Sequence, residues 1–301
     1  MFGPSRVFGP ATVLVPATSA NLGPGFDCLG LALGLMLTVR AEPWAQDAFR
    51  YSGEGRLPDT ADNLVHQGFR AVYGELGLEV PPVRFEVQNP IPLARGLGSS
   101  SAALVAGAAL ADRSLGQPLG RYGVFQLCAR LEGHPDNVAP AVYGGFTVSA
   151  DGGGRFVSES LPLPKRWQLL FAVPGFELLT SQARAVLPAG YARQDAVFNT
   201  SRSALWTLAV ALDKPELLRV AAEDRLHEPY RERLVPGMAA CRERLYGAGA
   251  MAVFLSGAGP SLGAVSLADE ASARCREAMR DFAGEGGRVL ALASGPGYCF
   301  V

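Results

Sequence analysis

Apolar and polar residues recur with two different periods along this chain. Residues 63–76 carry apolar side chains at helical spacing, which predicts an amphipathic helix. Short runs rich in β-branched residues, such as 12–16 and 83–87, predict strands. Further strands are expected at residues 29–40, 146–149, 167–173, 251–256, 263–266 and 288–293, and further helices at 102–111, 124–131, 201–212, 215–224 and 269–282. Strands and helices are mixed in both halves of the chain, which is typical of two α+β lobes.

Turn-forming residues interrupt these elements at two places. Pro16 is expected to end the first strand, so that residues 16–27 (PATSANLGPGFD) form a shaped loop. The three glycines at 152–154 have no side chains to pack, and they are the best candidate for a boundary between an N-terminal lobe of residues 1–152 and a C-terminal lobe of residues 153–301. A hairpin turn within one sheet is the alternative interpretation.

The composition indicates a globular protein and excludes some classes of partner. With 301 residues, 49% of them hydrophobic, the chain is long enough to bury a large core. Its net charge of −1 offers no basic field for nucleic acid. The longest apolar run, residues 29–39, is too short to cross a bilayer, so we expect no membrane partner and residence in the cytoplasm. The five cysteines form no CxxC pair, which indicates reduced, mostly buried thiols.

The most informative segment is residues 92–103 (PLARGLGSSSAA), where a glycine and serine loop enters an alanine-rich helix. Gly96 and Gly98 permit positive φ or the close approach of a ligand, and a helix N-terminus presents unpaired N–H groups that suit phosphate. A Walker A loop is excluded because no lysine precedes Lys165, and Ser101 stands where a Rossmann fingerprint needs a third glycine. Taken alone, the loop fits a phosphate site and a structural helix cap equally well.

Three glycine-bearing segments together resemble the three motifs of the GHMP small-molecule kinases: residues 16–27, 92–103 and 255–265 (LSGAGPSLGAV). Residues 132–140 (EGHPDNVAP) and 228–231 (EPYR) make the wording most similar to the homoserine kinase family. The resemblance implies a two-lobe α+β fold. This fold consists of a nucleotide-binding N-terminal lobe with a left-handed β-α-β unit and a ferredoxin-like C-terminal lobe. It also implies ATP-dependent phosphorylation of L-homoserine to O-phospho-L-homoserine on the route to threonine, and a possible homodimer.

The resemblance implies which residues contact ATP and Mg²⁺. Gly96, Gly98, Ser99 and Ser100 are expected to form the phosphate cradle. The expected ATP contacts also include Pro92, Leu93, Ala94, Arg95, Leu97 and Ser101. Ser100 and the carboxylate of Glu132 are expected to hold Mg²⁺, and the alternative for Glu132 is a solvated charge at a helix end. Asn63 is implied in the adenine pocket, although a helix N-cap is an equally good interpretation. Residues 256–261 are expected to pack against the cradle and support it without a catalytic role.

The substrate residues follow from the same resemblance. The expected contacts are Asn21, Asp27, His134, Asn137, Thr180, Arg184 and Arg231. Asp27 is expected to pair with the α-ammonium group of the substrate. Arg184 and Arg231 are expected to bind its α-carboxylate. Arg233 is the alternative to Arg231, because it lies only two residues further along. His66 and His227 are interpreted as structural.

The predicted mechanism depends on Asn137, which stands where mevalonate kinase has an aspartate. An amide is not a useful proton acceptor, so we expect catalysis by positioning and charge neutralisation, with Asn137, Arg184 and Ser100 as the catalytic residues. The substrate hydroxyl then gives its proton to the γ-phosphate or to water. A carboxylate base at Asp136 is the alternative mechanism. A kinase for another small alcohol, a sensor without turnover and a decarboxylase of the same superfamily are the alternative functions.

Overall fold

Two β-sheets organise the protein in the computed structural model, which describes residues 9–55, 57 and 62–301. The first sheet contains β1 (Ala11–Asn21), β2 (Gly25–Pro43), β3 (Ala48–Gly53), β4 (Val83–Asn89), β5 (Phe146–Asp151), β6 (Phe156–Leu161) and the C-terminal β11 (Cys299–Phe300). The second sheet contains β7 (Gln168–Val173), β8 (Ala252–Leu255), β9 (Leu262–Ser266) and β10 (Arg288–Leu292).

The helices fall into two groups along the chain. Those that precede β5 are α1 (Leu64–Glu75), α2 (Ser99–Ser114), α3 (Gly120–Glu132) and α4 (Val138–Tyr143). Those that follow β7 are α5 (Thr180–Ala185), α6 (Arg193–Ala211), α7 (Leu218–Ala221), α8 (Glu228–Arg231), α9 (Met238–Gly247) and α10 (Asp269–Ala283). In the part of the chain that the structure describes, none of the helices combines the length and the apolar character needed to cross a bilayer.

The connections between strands agree with the predicted lobes. In the first sheet, β3 and β4 are parallel and are joined through α1, which forms the expected β-α-β unit, and the hand of this crossover stays a prediction. In the second sheet the strand order is β10-β7-β9-β8 with every neighbouring pair antiparallel. Helices α5 to α9 separate β7 from β8, and α10 separates β9 from β10. This β-α-β-β-α-β order confirms the ferredoxin-like C-terminal lobe.

Most of helix α2 is buried within the first lobe, and glycines allow helix α1 to approach it closely. A Cβ atom at Gly107 of α2 would lie 1.9 Å from the carbonyl oxygen of Val65, and one at Gly68 of α1 would lie 2.1 Å from that of Leu104. The two helices therefore cross with their backbones nearly in contact. Because this crossing and the buried side chains of α2 hold the helix, its N-terminus has a defined position.

The prediction that Pro16 ends the first strand is wrong. Strand β1 continues to Asn21, paired with β2, and the register shifts between Pro16 and Ala17. A proline is tolerated at such an irregularity because its missing N–H removes no regular ladder bond there. The loop expected at residues 16–27 is therefore the end of β1, a tight turn at 22–24 and the start of β2.

The three glycines at 152–154 form the hairpin turn between β5 and β6, which is the alternative interpretation given above. The N–H of Gly152 donates to the carbonyl oxygen of Arg155, with 2.8 Å between nitrogen and oxygen. A division after residue 152 would split a paired hairpin. The change from the first sheet to the second falls between Leu161 and Gln168, and we propose to place the lobe boundary there.

Candidate active site between the two lobes

A cavity of about 380 Å³ lies where the two lobes meet. Most of the predicted site residues line it. They are Asn21, Asp27, Pro92, Ala94, Arg95, Gly96, Leu97, Gly98, Ser99, Ser100, Glu132, His134, Asn137, Thr180, Arg184 and Arg231. Segments more than 200 residues apart in the sequence therefore contribute to a single site.

The N-terminus of α2 opens into this cavity. Gly98 is the N-cap in the left-handed region (φ 66°, ψ 24°), and among the described residues no side chain caps the helix. The first helical hydrogen bond runs from the N–H of Ala102 to the carbonyl oxygen of Gly98, so the preceding N–H groups at Ser99 and Ser100 are not used within the helix. Unpaired N–H groups and the positive end of the helix dipole suit an anion.

The third glycine segment supports this loop from the second lobe, as predicted. The hydroxyl of Ser256 donates to the carbonyl oxygen of Gly96 at 2.6 Å. A Cβ atom at Gly96, where φ is 72°, would lie 2.1 Å from the carbonyl oxygen of Ser256. The close approach of these two backbones therefore excludes any side chain at position 96.

The side chain of Arg95 ties the loop to the second lobe. Its guanidinium donates to the carbonyl oxygens of Leu93, Pro174 and Gly175 at 2.6–3.0 Å. Pro174 and Gly175 directly follow β7. The side chain of Arg95 therefore connects the lobes, while the residue still lines the cavity and its contact with the nucleotide stays a prediction.

The hydroxyl of Ser101 is used within the first lobe, and a contact of this residue with the nucleotide stays a prediction. The Ser101 hydroxyl is buried and donates to the Glu132 carboxylate at 2.6 Å, and Ser101 does not line the cavity. Burial raises the pKa of Glu132, while Ser101 and Ser100 lower it. Glu132 ends α3, where Gly133 adopts positive φ (81°) and turns the chain. The carboxylate of Glu132 next to the hydroxyl of Ser100 is a suitable donor set for a hard cation.

Asn137 and His134 are held by short hydrogen bonds. The Oδ1 atom of Asn137 accepts from the hydroxyl of Thr18 at 2.8 Å. The buried carboxylate of Asp136 bonds the Nδ1 atom of His134 at 2.7 Å and accepts from the backbone N–H of Asn137 at 3.0 Å. Burial alone would lower the pKa of His134, but Asp136 and Glu132 raise it above its ordinary value. The carboxylates of Asp27 and Asp136 and the ring of His134 each have an atom capable of binding a metal, and these atoms lie within 4.8 Å of one another.

Asp27 and Arg184 form an ion pair inside the cavity, with 2.7 and 3.1 Å between the paired atoms. Asn21 shapes the turn beside them, since its amide donates to the carbonyl oxygen of Gly257 and accepts from the N–H of Asp27. Both polar groups of Asn21 are thus used by the backbone, although the residue still lines the cavity. Asn21 and Asp27 both have positive φ (71° and 55°), so this turn is a strained one.

Arg231 is 2% exposed and lines the cavity, whereas Arg233 is exposed on the surface. The Arg231 guanidinium donates to the carbonyl oxygens of Ala183 and Gly257 and to Nδ1 of His227. Burial and the nearby Arg184 lower the pKa of Arg231. Arg231 and not Arg233 therefore lines the cavity, and its contact with the substrate carboxylate stays a prediction.

A second cavity of about 300 Å³ adjoins the first. It is mostly apolar, and Ala94, Ser99 and Ser100 belong to both cavities. Asn63 accepts from the N–H of Val65 at 2.9 Å, which confirms it as the N-cap of α1. It also lines this cavity, and its contact with adenine stays a prediction. Leu93 lines this cavity too, together with Leu37, Val65, Val87 and Ala103.

Comparison with known proteins agrees with this arrangement. The family model "GHMP kinases N terminal domain" matches residues 63–145, and "GHMP kinases C terminal" matches residues 208–284. A homoserine kinase of Thermus thermophilus is 51% identical over 284 residues, which are 94% of this chain and 96% of that protein. The chain belongs to the homoserine kinase family of the GHMP kinases.

Other homoserine kinases resemble this family member across most of its length. The protein of Solibacter usitatus is 47% identical over 82% of both chains. The crystal structure of homoserine kinase from Cytophaga hutchinsonii superposes with a TM-score of 0.87 at 28% identity, over 100% of this chain and 99% of that one. A mevalonate kinase of L. major shares the fold (TM-score 0.73) at 13% identity, over 98% of this chain and 99% of that one.

Sequence reasoning missed two side chains at the site of this homoserine kinase family member. Thr18 lies within the first glycine motif but carries no local signal, because its partner Asn137 is 119 residues away. Phe26 lines the cavity between two cations, with the guanidinium groups of Arg184 and Arg231 5.4 and 5.3 Å from the centre of its ring. The sequence signal that could have identified Phe26 is its position next to Asp27.

Proposed function

We propose that this kinase transfers the γ-phosphate of ATP to the side-chain hydroxyl of L-homoserine and forms O-phospho-L-homoserine for threonine biosynthesis. The observation that carries the proposal is the pair Asp27 and Arg184, which places opposite charges side by side in the cavity that the α2 N-terminus enters. Opposite charges at this separation complement an amino-acid zwitterion. The homoserine kinase relatives at 51% and 47% identity support the same substrate.

The nucleotide occupies both cavities in this proposal. Its base lies in the apolar cavity near Asn63, and its phosphates lie on the N–H groups of Ser99 and Ser100 at the start of α2. Gly96 and Gly98, both with positive φ, shape the loop that leads to these N–H groups. The hydroxyl of homoserine then faces the phosphates from the side of Asn137.

Glu132 and Ser100 are the residues that fit Mg²⁺. Glu132 lines the cavity beside the phosphate loop, and Ser101 holds its carboxylate in place. Glu132 and Ser100 would hold the ion, which would supply positive charge to offset that of the phosphates. The carboxylate and hydroxyl groups of this chain supply the hard oxygen ligands that such an ion prefers.

The chain's own residues act mainly by holding the reactants in place. Asp27 meets the ammonium group of the substrate, Arg184 and Arg231 meet its carboxylate, and Asn137 meets its hydroxyl. Asp136 is engaged by His134 and by the N–H of Asn137, which favours a supporting role over that of a proton acceptor. The proton of the substrate hydroxyl passes to a γ-phosphate oxygen or to water, as a loose transition state allows.

An ADP-release assay with L-homoserine, mevalonate, shikimate and no acceptor tests the proposal. We expect L-homoserine alone to raise ADP release above the rate without acceptor. A response to another alcohol and none to L-homoserine contradicts it. The separate substitutions Asp136→Ala and Asn137→Ala test the mechanism. An Asp136→Ala variant that binds substrate but has no turnover indicates a carboxylate base.

The cellular setting belongs to the same proposal. Membership in a biosynthetic kinase family supports residence in the cytoplasm and assembly as a homodimer. Light scattering of the purified chain measures the assembly state directly, and a monomer at micromolar concentration contradicts the dimer.

A further inference from the structure

Thr18 lies at the point where the phosphate loop and the acceptor side of the cavity meet. It belongs to β1, it is fully buried, and its N–H donates to the carbonyl oxygen of Leu97 at 3.1 Å. Its hydroxyl donates to Oδ1 of Asn137 at 2.8 Å. Among the described residues, Thr18 is the hydrogen-bond partner of the Asn137 side chain.

This bond determines which end of the Asn137 amide faces the ligand. An amide has one acceptor atom and one donor atom, and a hydroxyl that donates to Oδ1 leaves the Nδ2 donor for the cavity. The backbone of Asn137 is already held, because its N–H bonds Asp136 and its carbonyl oxygen accepts from the N–H of Ala141. The side chain of Asn137 could still rotate about its own bonds, and the hydrogen bond from Thr18 prevents this rotation.

The same hydroxyl is packed against the phosphate loop. A Cβ atom at Gly98 would lie 1.8 Å from Oγ1 of Thr18 and 3.1 Å from Oδ1 of Asn137. Gly98 is therefore packed against the Thr18 hydroxyl, and no side chain fits there. One side chain thus sets the spacing between the N-terminus of α2 and the amide that faces the acceptor.

We propose that Thr18 is a positioning residue for phosphoryl transfer, which fixes the Asn137 amide with Nδ2 directed at the acceptor hydroxyl oxygen. This inference rests on the proposed function. A hydrogen bond from Nδ2 to that oxygen leaves the hydroxyl proton facing away from Asn137. As the bond between the acceptor oxygen and the γ-phosphorus forms, the bond from the γ-phosphorus to the ADP oxygen breaks. The hydroxyl proton leaves to a γ-phosphate oxygen or to water, and Asn137 takes no proton.

Two substitutions separate this role from simple packing. Thr18→Val keeps the shape and removes the hydroxyl, whereas Thr18→Ser keeps the hydroxyl and removes a methyl group. We expect Thr18→Val to lower kcat about 10- to 100-fold and to leave both KM values within about twofold, because the bound reactants lose alignment rather than contacts. Thr18→Ser should restore kcat to within about threefold of the unaltered enzyme. If Thr18→Val does not fold, Thr18→Ala compared with Thr18→Ser makes the same test.

A double-mutant cycle with Asn137→Ala decides whether Thr18 acts through Asn137. We expect Thr18→Val to have little further effect on kcat when Asn137 is already alanine. An equal loss in both backgrounds, or a raised KM with unchanged kcat, overturns the proposal. An unaltered enzyme without homoserine-dependent ADP release contradicts the proposed function instead, so the two failures are distinguishable.

Discussion

Arg184 and Asp27 form a bidentate ion pair inside the cavity, with 2.7 Å between Nη2 and Oδ1 and 3.1 Å between Nη1 and Oδ2. Their side chains are 38% and 34% exposed, so both remain accessible to a ligand. Burial alone would lower the pKa of Arg184, but Asp27 and Asp136 raise it. In the proposed function, the ammonium group of the substrate pairs with Asp27 and its carboxylate pairs with Arg184, so both residues exchange one ionic partner for another.

Analogues that lack one charge test this exchange. 3-Aminopropan-1-ol lacks the carboxylate of homoserine, and 4-hydroxybutanoate lacks its ammonium group. Either compound must separate Asp27 from Arg184 and leave one of them unpaired, so we expect kcat/KM to fall at least about 100-fold in each case. ADP release with each compound provides the measurement, and an analogue as good as L-homoserine contradicts the zwitterion hypothesis.

The choice between Arg231 and Arg233 can be tested with matched substitutions. Arg231→Lys removes the planar fork of a buried guanidinium, and Arg233→Lys makes the same change on the surface. We expect Arg231→Lys to raise the KM for homoserine at least about tenfold with little effect on the KM for ATP. Steady-state kinetics should show no effect of Arg233→Lys. A larger change in the second variant would assign the carboxylate contact to Arg233.

Substitution of Gly96 tests the contact between the phosphate loop and the third glycine segment. In Gly96→Ala the new Cβ atom lies 2.1 Å from the carbonyl oxygen of Ser256, so the loop must move. We expect the KM for ATP to rise at least about tenfold. Gly116→Ala is the control, because Gly116 also has positive φ (85°) but none of the described residues comes within 4 Å of its Cβ position. That control should cost only backbone strain of about 1 kcal/mol, measured by urea unfolding.

Replacement of Glu132 tests the proposed metal site. Glu132→Gln keeps an acceptor for the Ser101 hydroxyl and removes the negative charge. We expect kcat to fall about 100-fold or more at ordinary Mg²⁺ concentrations, because a neutral amide is a poor ligand for Mg²⁺. The exposed Glu75→Gln on α1 is the control. Turnover of Glu132→Gln at the normal rate and normal Mg²⁺ dependence would remove Glu132 from the metal site.

The network beneath Arg231 predicts a specific dependence of stability on pH. Burial alone would raise the pKa of the Asp224 carboxyl, but His227 and hydrogen bonds from Asn199 and backbone N–H groups hold it below its ordinary value of 3.8. A carboxyl with a lowered pKa in the folded state adds stability above the unfolded pKa. That contribution is lost as the pH falls through the folded value.

Asp224→Asn tests this contribution. Oδ2 of Asp224 accepts from the N–H groups of His227 and Glu228, and an amide nitrogen at either oxygen position would face a donor. We expect a loss of about 2–4 kcal/mol in the free energy of unfolding at neutral pH. In urea titrations the difference should stay constant from about pH 8 to pH 5 and shrink only below pH 3.8, the ordinary pKa of this carboxyl. The exposed Asp281→Asn is the control, and a difference that vanishes near pH 6 contradicts the assignment.

Much of the site was predictable from local sequence because its backbone requirements are local. Gly96 and Gly98 adopt the positive φ values that the loop needs, and the alanine-rich run that follows is the helix α2. The supporting role of residues 256–261 also followed from the glycine pattern. Periodicity predicted β4, α1 and α10 for the same reason, since a repeat of two or of 3.6 residues depends only on near neighbours, whereas it gave no signal for β3, β6 or α9.

The sequence by itself determined which segments carry backbone donors, carboxylates and guanidinium groups, and the resemblance to a kinase family supplied their order. Only the tertiary structure decided which groups meet. Arg231 is buried while Arg233 is exposed, Ser101 turns to Glu132, and Arg95 turns to the second lobe. Thr18 reaches Asn137 only because strand β1 passes beside α4. Such contacts join residues far apart in the chain, so they depend on how the elements pack rather than on any local pattern.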